Sequence, residues 1–75
     1  MKNVFISFES GNSLLIYTEN LTTEECEKII NKATDEVIVD CYEIADNDVQ
    51  FYCIDERIWI DTPEKENKLR AMINN

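Results

Sequence analysis

The chain has 75 residues, 44% of them apolar, with sixteen acidic residues against seven basic ones and no histidine. A chain of this length forms one domain and hides only about 60% of the surface that its unfolded state exposes, which leaves no room for a separate catalytic domain. The net charge of −9 repels phosphate and argues against direct binding to DNA, RNA or an anionic membrane. We therefore expect a single acidic domain, residues 1–75, whose partner is a protein.

The spacing of the cysteines and the lack of histidine limit which metal sites and catalytic groups the chain can form. Cys26, Cys41 and Cys53 lack the C-x-x-C spacing of a metal site, so we expect three reduced, buried thiols and no metal or cofactor. Without histidine, neither a Ser-His nor a Cys-His pair can form, and we predict that the chain is not an enzyme. The opening residues fit neither a signal peptide nor a membrane span, which predicts a cytoplasmic protein.

In chain order, the first predicted elements are two strands joined by a turn. Residues 2–8 largely alternate apolar and polar side chains, as a strand with one buried face does. The sequence ESGN follows and contains the only glycine of the chain, and residues 14–18 form a second apolar run. We predict a β-hairpin that turns around Gly11.

The next segment, NLTTEECEKIINKAT, predicts a short amphipathic helix. Thr22 and Glu25 have the spacing of a capping box, in which each side chain accepts a hydrogen bond from a free backbone N–H of the first turn. Apolar side chains recur at helical spacing on one face, at Cys26, Ile29, Ile30 and Ala33. We expect this face to pack on the sheet.

The segment from Asp35 to Glu56 holds eight acidic residues and no base. Its apolar residues alternate, which predicts two strands, 36–44 and 49–54, in a hairpin around the sequence ADND. A hairpin arm of this length spans about 30 Å and would carry about one carboxylate per 4 Å, similar to the charge spacing of one DNA strand. Turning about Asn47, this hairpin would place Cys41 opposite Cys53, whereas a two-residue turn would place Tyr42 there.

The last residues predict a short strand, 57–61, and a second helix. Thr62 is expected to cap this helix and Pro63 to occupy its first position. The predicted fold is a single small α+β domain in the order ββαβββα, with two helices and a mainly antiparallel sheet of four to five strands.

Strand alternation divides the central residues between two faces of the sheet. The face toward the helices is expected to carry the apolar set of Val37, Val39, Cys41, Val49, Phe51, Cys53, Ile58 and Ile60. The opposite face would then carry Asp40, Tyr42, Gln50, Tyr52 and Trp59. Tyrosine and tryptophan with acidic neighbours are typical of protein interfaces. The alternative is that the second helix or a second copy of the chain covers this face.

In size, charge and lack of catalytic residues the chain resembles the small acidic proteins with which phages and mobile elements inhibit nucleic-acid enzymes, including DNA-mimic inhibitors and anti-CRISPR proteins. The resemblance is one of profile, and such proteins share no common fold. It implies an inhibitor that occupies the basic nucleic-acid-binding surface of a partner enzyme or effector. The predicted binding residues are Asp40, Tyr42, Glu43, Asp46, Asp48, Tyr52, Asp55, Glu56 and Trp59. The alternative is a small homodimeric structural or regulatory protein whose aromatic sheet face is its own interface.

Overall fold

The fold was obtained as a computed structural model, which describes residues 1–60 and 62–74. It is a small α+β domain with a four-stranded sheet in the order β3-β1-β2-β4. Strand β1 pairs antiparallel with β2 and β3, whereas β2 and β4 are parallel. The elements are β1 (Lys2–Phe8), β2 (Ser13–Thr18), α1 (Thr23–Ala33), β3 (Ile38–Ile44), a 3-10 helix (Asp46–Phe51), β4 (Glu56–Ile60) and α2 (Pro63–Asn74). The predicted fold class is confirmed.

The first hairpin and the first helix form where the sequence predicts them. Gly11 has a φ of +96° in the turn between β1 and β2, a conformation that glycine adopts without steric cost. In α1, Thr22 Oγ1 accepts from the Glu25 N–H at 3.1 Å, and Glu25 Oε1 accepts from the Thr22 N–H at 3.1 Å. This is the predicted capping box, and the helix buries Cys26, Ile29 and Ile30 on the sheet.

Helix α2 also begins as predicted. The Lys65 N–H donates to Thr62 Oγ1 at 3.3 Å, so Thr62 caps the helix that Pro63 opens. Arg70 forms ion pairs with Glu25 of α1 and with Glu66 of its own helix. Leu69 and Ile73 pack on the core beside α1. Among the described residues, no helix combines the length and the apolar character that crossing a membrane requires.

The prediction of a central β-hairpin in residues 36–54 is wrong. Residues 36–44 contribute a strand, β3, but it pairs with β1, and residues 46–51 form a 3-10 helix where a strand was predicted. Val49, Tyr52 and Ile54 pack on Phe5, Leu15 and Ile44 of the sheet. An apolar run this short fits a helical turn as well as a strand, since positions 49 and 52 are one turn apart. We call residues 45–55 the crossover, because they connect one edge strand to the other across the sheet.

Both sheet faces are therefore covered, and the predicted division of residues between them is only partly right. Cys41, Ile58 and Ile60 do face the helices. Val49 packs on the opposite face, and the side chains of Cys53, Val37, Val39 and Phe51 are exposed, the last three by 57%, 55% and 77%. A β-bulge explains part of the error: Ser7 pairs with Asp40 but Phe8 pairs with Ile38, so one extra residue shifts the alternation and Ile38 faces the core.

The three cysteines are free thiols in different environments. Cys26 is buried and Cys41 half-buried, whereas Cys53 is exposed, so the expectation of three buried thiols is wrong for Cys53. Cys41 lies opposite Ile6 of β1 and not opposite Cys53, because the central hairpin does not form. Burial raises the pKa of the Cys26 thiol to about 12 and that of Cys41 to about 11, so both stay protonated at neutral pH.

We expect Cys53 to react first with a thiol reagent at pH 8. The thiolate is the reactive form of cysteine. Because the pKa values of Cys26 and Cys41 are raised and both side chains are at least partly buried, few thiolates form and the reagent cannot reach them until the protein unfolds. Mass spectrometry of peptides after brief alkylation measures the order. Fast labelling of Cys26 in the native protein would contradict the packing of α1 on the sheet.

Candidate functional site

The strand order gathers six carboxylates at one end of the sheet. At this end β1 stops and β2, β3 and β4 begin, as the strand pairings show. The acidic residues lie in the turn after β1, in the loop before β3, near the start of β3 and at the start of β4. We call this surface the acidic end; it consists of Glu9, Asp35, Glu36, Asp40, Asp55 and Glu56.

Within the part of the chain that the structure describes, the carboxylates of the acidic end are not paired with basic side chains. None of the six carboxylates forms an ion pair with another described residue. Glu36 accepts hydrogen bonds from Ser10 Oγ and, at 3.0 Å, from Asn12 Nδ2. Asp55 Oδ2 accepts from the Ser13 N–H at 2.7 Å and from Ser13 Oγ at 3.3 Å. Because these donors are neutral, they fix two side chains in place without neutralising their negative charge.

The dipole of helix α1 adds to the negative potential at the same end. Helix α1 runs from the opposite end of β2 to the start of β3, so its C-terminal carbonyls, the negative end of the helix dipole, lie at the acidic end. Lys32 lies in its last turn, but its ammonium group donates to the main-chain carbonyls of Met72 and Ile73 in α2. This lysine therefore holds the two helix ends together.

A pocket of about 450 Å³ opens between the end of α1 and the sheet at this acidic end. Its apolar lining comes from both sheet and helix: Phe8, Leu14 and Ile30 are buried, Ile58 is half-buried and Ala33 is exposed. Its polar lining comes from Asn12, Ser13, Thr34, Glu36, Asp55 and Glu56. No basic side chain contributes to the lining. The lining thus combines mostly buried apolar side chains with acidic side chains, of which Asp55 and Glu56 are exposed and form its rim.

Neither a protein-family model, nor a curated protein, nor a solved structure matches the chain. Function must therefore be inferred from the charge and geometry of the acidic end and of the sheet surface beside it. Among residues 1–60 and 62–74, no three His, Cys, Asp or Glu side chains are grouped so that they could hold a metal ion.

The structure brings three of the predicted binding residues together at the acidic end: Asp40, Asp55 and Glu56. Sequence reasoning did not select Glu9, Asp35 or Glu36, although they belong to the same surface. Their acidity is visible in the sequence, but their proximity to the start of β4 depends on the strand order, which no local pattern encodes. Glu43 lies opposite Val4 and points to the helix side, away from the aromatic residues of the far face.

Tyr42 and Tyr52 form one aromatic cluster on the far face, which is the face of the sheet opposite the two helices. Both pack on Phe5, with ring centroids 5.6 Å and 4.8 Å from it, and the two tyrosine rings are 6.1 Å apart. The neighbouring Tyr52 side chain raises the pKa of Tyr42, with smaller contributions from desolvation and from the Asp40 carboxylate. This cluster lies toward the β3 edge of the sheet.

Trp59 lies on the opposite edge strand, β4, and packs edge-on against Tyr17 with ring centroids 4.6 Å apart. Together with Arg57 and Asp46 these rings line a shallow groove of about 210 Å³. The crossover, which contributes Tyr52 to the first aromatic group, packs on Phe5 and Leu15 of the central strands. The predicted continuous acidic and aromatic face is therefore divided into two patches at opposite edges.

Asp46 and Asp48 belong to the crossover and differ in what they contact. Both are exposed, but Asp46 accepts a hydrogen bond from the side chain of Asn3, which is only 4% exposed. We expect Asp46→Lys to destabilise the fold by about 1–3 kcal/mol, because it leaves a buried amide without its acceptor. Asp48→Lys should change stability by less than about 0.5 kcal/mol. Urea denaturation measures both, and equal losses would contradict this role of Asp46.

Proposed function

We propose that this chain is a non-enzymatic binding module whose acidic end occupies a basic, nucleic-acid-binding surface of a partner protein. One observation carries the proposal: six carboxylates lie together at one end of the sheet, and none forms an ion pair with another described residue. Charge that serves solubility alone is interspersed with the opposite sign. A concentrated patch of one sign instead favours a partner of the opposite sign.

The density of charge at the acidic end is comparable to that of nucleic acid. Four strands at a spacing of about 4.8 Å make the sheet roughly 14 Å wide. Projected onto this width, six carboxylates average one charge per about 2.4 Å, between the 3.4 Å of one DNA strand and the 1.7 Å of the duplex. A groove that binds phosphates can therefore accept this surface in their place, which would block nucleic acid from the partner.

Such a complex should form quickly and depend on salt. Opposite potentials on the two surfaces steer the encounter, and dissolved salt screens this attraction over about 10 Å at 0.1 M. The apolar interior of the pocket adds surface that can be buried on contact, which would slow dissociation. The proposed mechanism is thus electrostatic attraction followed by burial of a small apolar region.

The experiment is affinity capture from bacterial cytosol, and from phage-infected cells, at low salt. We expect a basic nucleic-acid-binding protein to be retained and to elute as salt rises. Duplex DNA or RNA should then compete with the chain for that captured protein. A captured protein that binds nucleic acid equally well with and without saturating amounts of this chain would contradict the proposal.

A homodimer is the second candidate, and the exposed aromatic residues favour it. Phe51 and Trp59 expose 77% and 49% of their surface, more than rings of this size usually leave in water. A dimer held by such apolar contacts should keep its mass when salt is raised. Light scattering at low and high salt distinguishes it from the salt-sensitive complex.

A further inference from the structure

We propose that the pocket at the acidic end binds a single lysine side chain presented by the partner. This inference rests on the proposed function and specifies the chemistry of that contact. The pocket volume of about 450 Å³ lies within the roughly 300–1,000 Å³ of small-ligand sites. Because all of its charged lining groups are acidic, the occupant should be a cation.

The interior of the pocket indicates a cation with an apolar stem. Its apolar lining consists of Phe8 and Leu14 of the sheet, Ile30 and the exposed Ala33 of α1, and Ile58 of β4. A hydrated metal ion gains nothing from such a lining. Lysine buries its four-carbon stem against apolar surface and keeps its ammonium group at the polar rim, which matches an apolar interior with an acidic edge.

The arrangement of the rim favours lysine over arginine. In both Glu36 and Asp55 one carboxylate oxygen takes the hydrogen bonds from the chain, Oε1 and Oδ2 respectively. Each carboxylate therefore has its second oxygen available to a ligand. The hydrogen bonds to the first oxygen already fix the orientation of the carboxylate group. Three diverging ammonium protons can reach separate single oxygens, whereas a guanidinium group prefers both oxygens of one carboxylate. The carbonyl end of the α1 dipole favours the same positive charge.

Small probes can test the pocket without the partner. Nitrogen-labelled protein is titrated with N-acetyl-lysine methylamide, and amide chemical shifts are followed. We expect saturable shifts centred on Ser13, Leu14, Ala33 and Ile58, with a Kd of about 1 mM or weaker for so small a ligand. The arginine analogue should bind more weakly, and the uncharged norleucine analogue about tenfold more weakly.

Two variants test separately how the shape of the pocket and its charge contribute to binding of the lysine probe. Ala33→Leu fills the pocket without changing charge, and leucine is nearly as good a helix former as alanine. Glu56→Gln removes one rim charge at nearly constant volume. Ala33→Leu should reduce binding of the lysine probe by about tenfold or more, and Glu56→Gln, which removes one exposed charge, by roughly 1.5- to 5-fold. The matched control is Glu24→Gln, which removes one exposed carboxylate at the opposite end of the sheet and should leave binding unchanged.

Several results would overturn the lysine pocket. Shifts that rise linearly and spread over all acidic residues, or equal shifts with the norleucine analogue, would show that no specific cation site exists. Full binding by Ala33→Leu would place the probe elsewhere, and tighter binding of the arginine analogue would reject lysine as the occupant. Salt-sensitive capture of a basic protein despite such results would leave the proposed function standing, because capture depends on the whole acidic end.

Discussion

Replacing Ile29 with alanine should lower the free energy of unfolding by about 2–4 kcal/mol. Ile29 is 3% exposed and belongs to the helix face that packs in the larger core cluster. The substitution removes three carbon atoms and leaves a cavity between α1 and the sheet. A chain of this length has roughly 4–11 kcal/mol of stability in total, so the loss is a large fraction of it.

Urea denaturation followed by circular dichroism measures this loss. The matched control is Val37→Ala, which also shortens a β-branched side chain but at a position with 57% exposure. We expect it to change stability by less than about 0.5 kcal/mol. Similar losses in the two variants would mean that α1 does not bury this face as described.

The second large effect concerns binding. Changing Asp35 and Asp40 to asparagine and Glu56 to glutamine should weaken the low-salt complex with the captured protein by about tenfold, because each lost surface charge costs about 0.2–1 kcal/mol. All three side chains are exposed. Their replacement should therefore leave the fold intact, and the difference in affinity should shrink as salt rises.

A control with the same change in net charge is available at the opposite end of the sheet. Glu19, Glu24 and Glu64 are exposed there, near the start of the two helices. Their replacement by glutamine raises the net charge by the same three units. Titration calorimetry at two salt concentrations compares the variants. Equal weakening by both triple variants would show that net charge, and not the acidic end, determines binding.

Elements whose signals are local could be predicted from the sequence. The capping box of Thr22 and Glu25 marks the start of α1, and Thr62 followed by Pro63 marks the start of α2. Gly11 locates the first turn. Each of these features depends on residues within a few positions of one another, so a single sequence contains all the information needed.

Pairing between distant strands could not be predicted in the same way. The alternation in residues 36–44 indicates a strand but not its neighbour, and β3 pairs with β1 instead of the segment that follows it. The segment 49–54 satisfies strand and helix periods equally, and contacts with Phe5 and Leu15 decide the outcome. The bulge opposite Ser7 and Phe8 is likewise invisible in the alternation.

The candidate site depends on the same non-local information. Acidic residues at positions 9, 35–36, 40 and 55–56 are far apart in the chain, and only the order β3-β1-β2-β4 brings them to one end. The sequence showed an excess of charge in its central segment and predicted a binding role for it. The structure extends that surface to Glu9 and separates it from Trp59 and Tyr17.

Hydrogen–deuterium exchange of the chain, alone and bound to the protein that it captures at low salt, tests the acidic end most directly. We expect exchange to slow in residues 9–14, 33–40 and 55–58, which contain the acidic end and the pocket wall. Exchange in residues 19–25 at the opposite end should be unchanged. Slower exchange confined to the crossover and to the neighbourhood of Trp59, with residues 9–14 and 33–40 unaffected, would contradict binding through the acidic end.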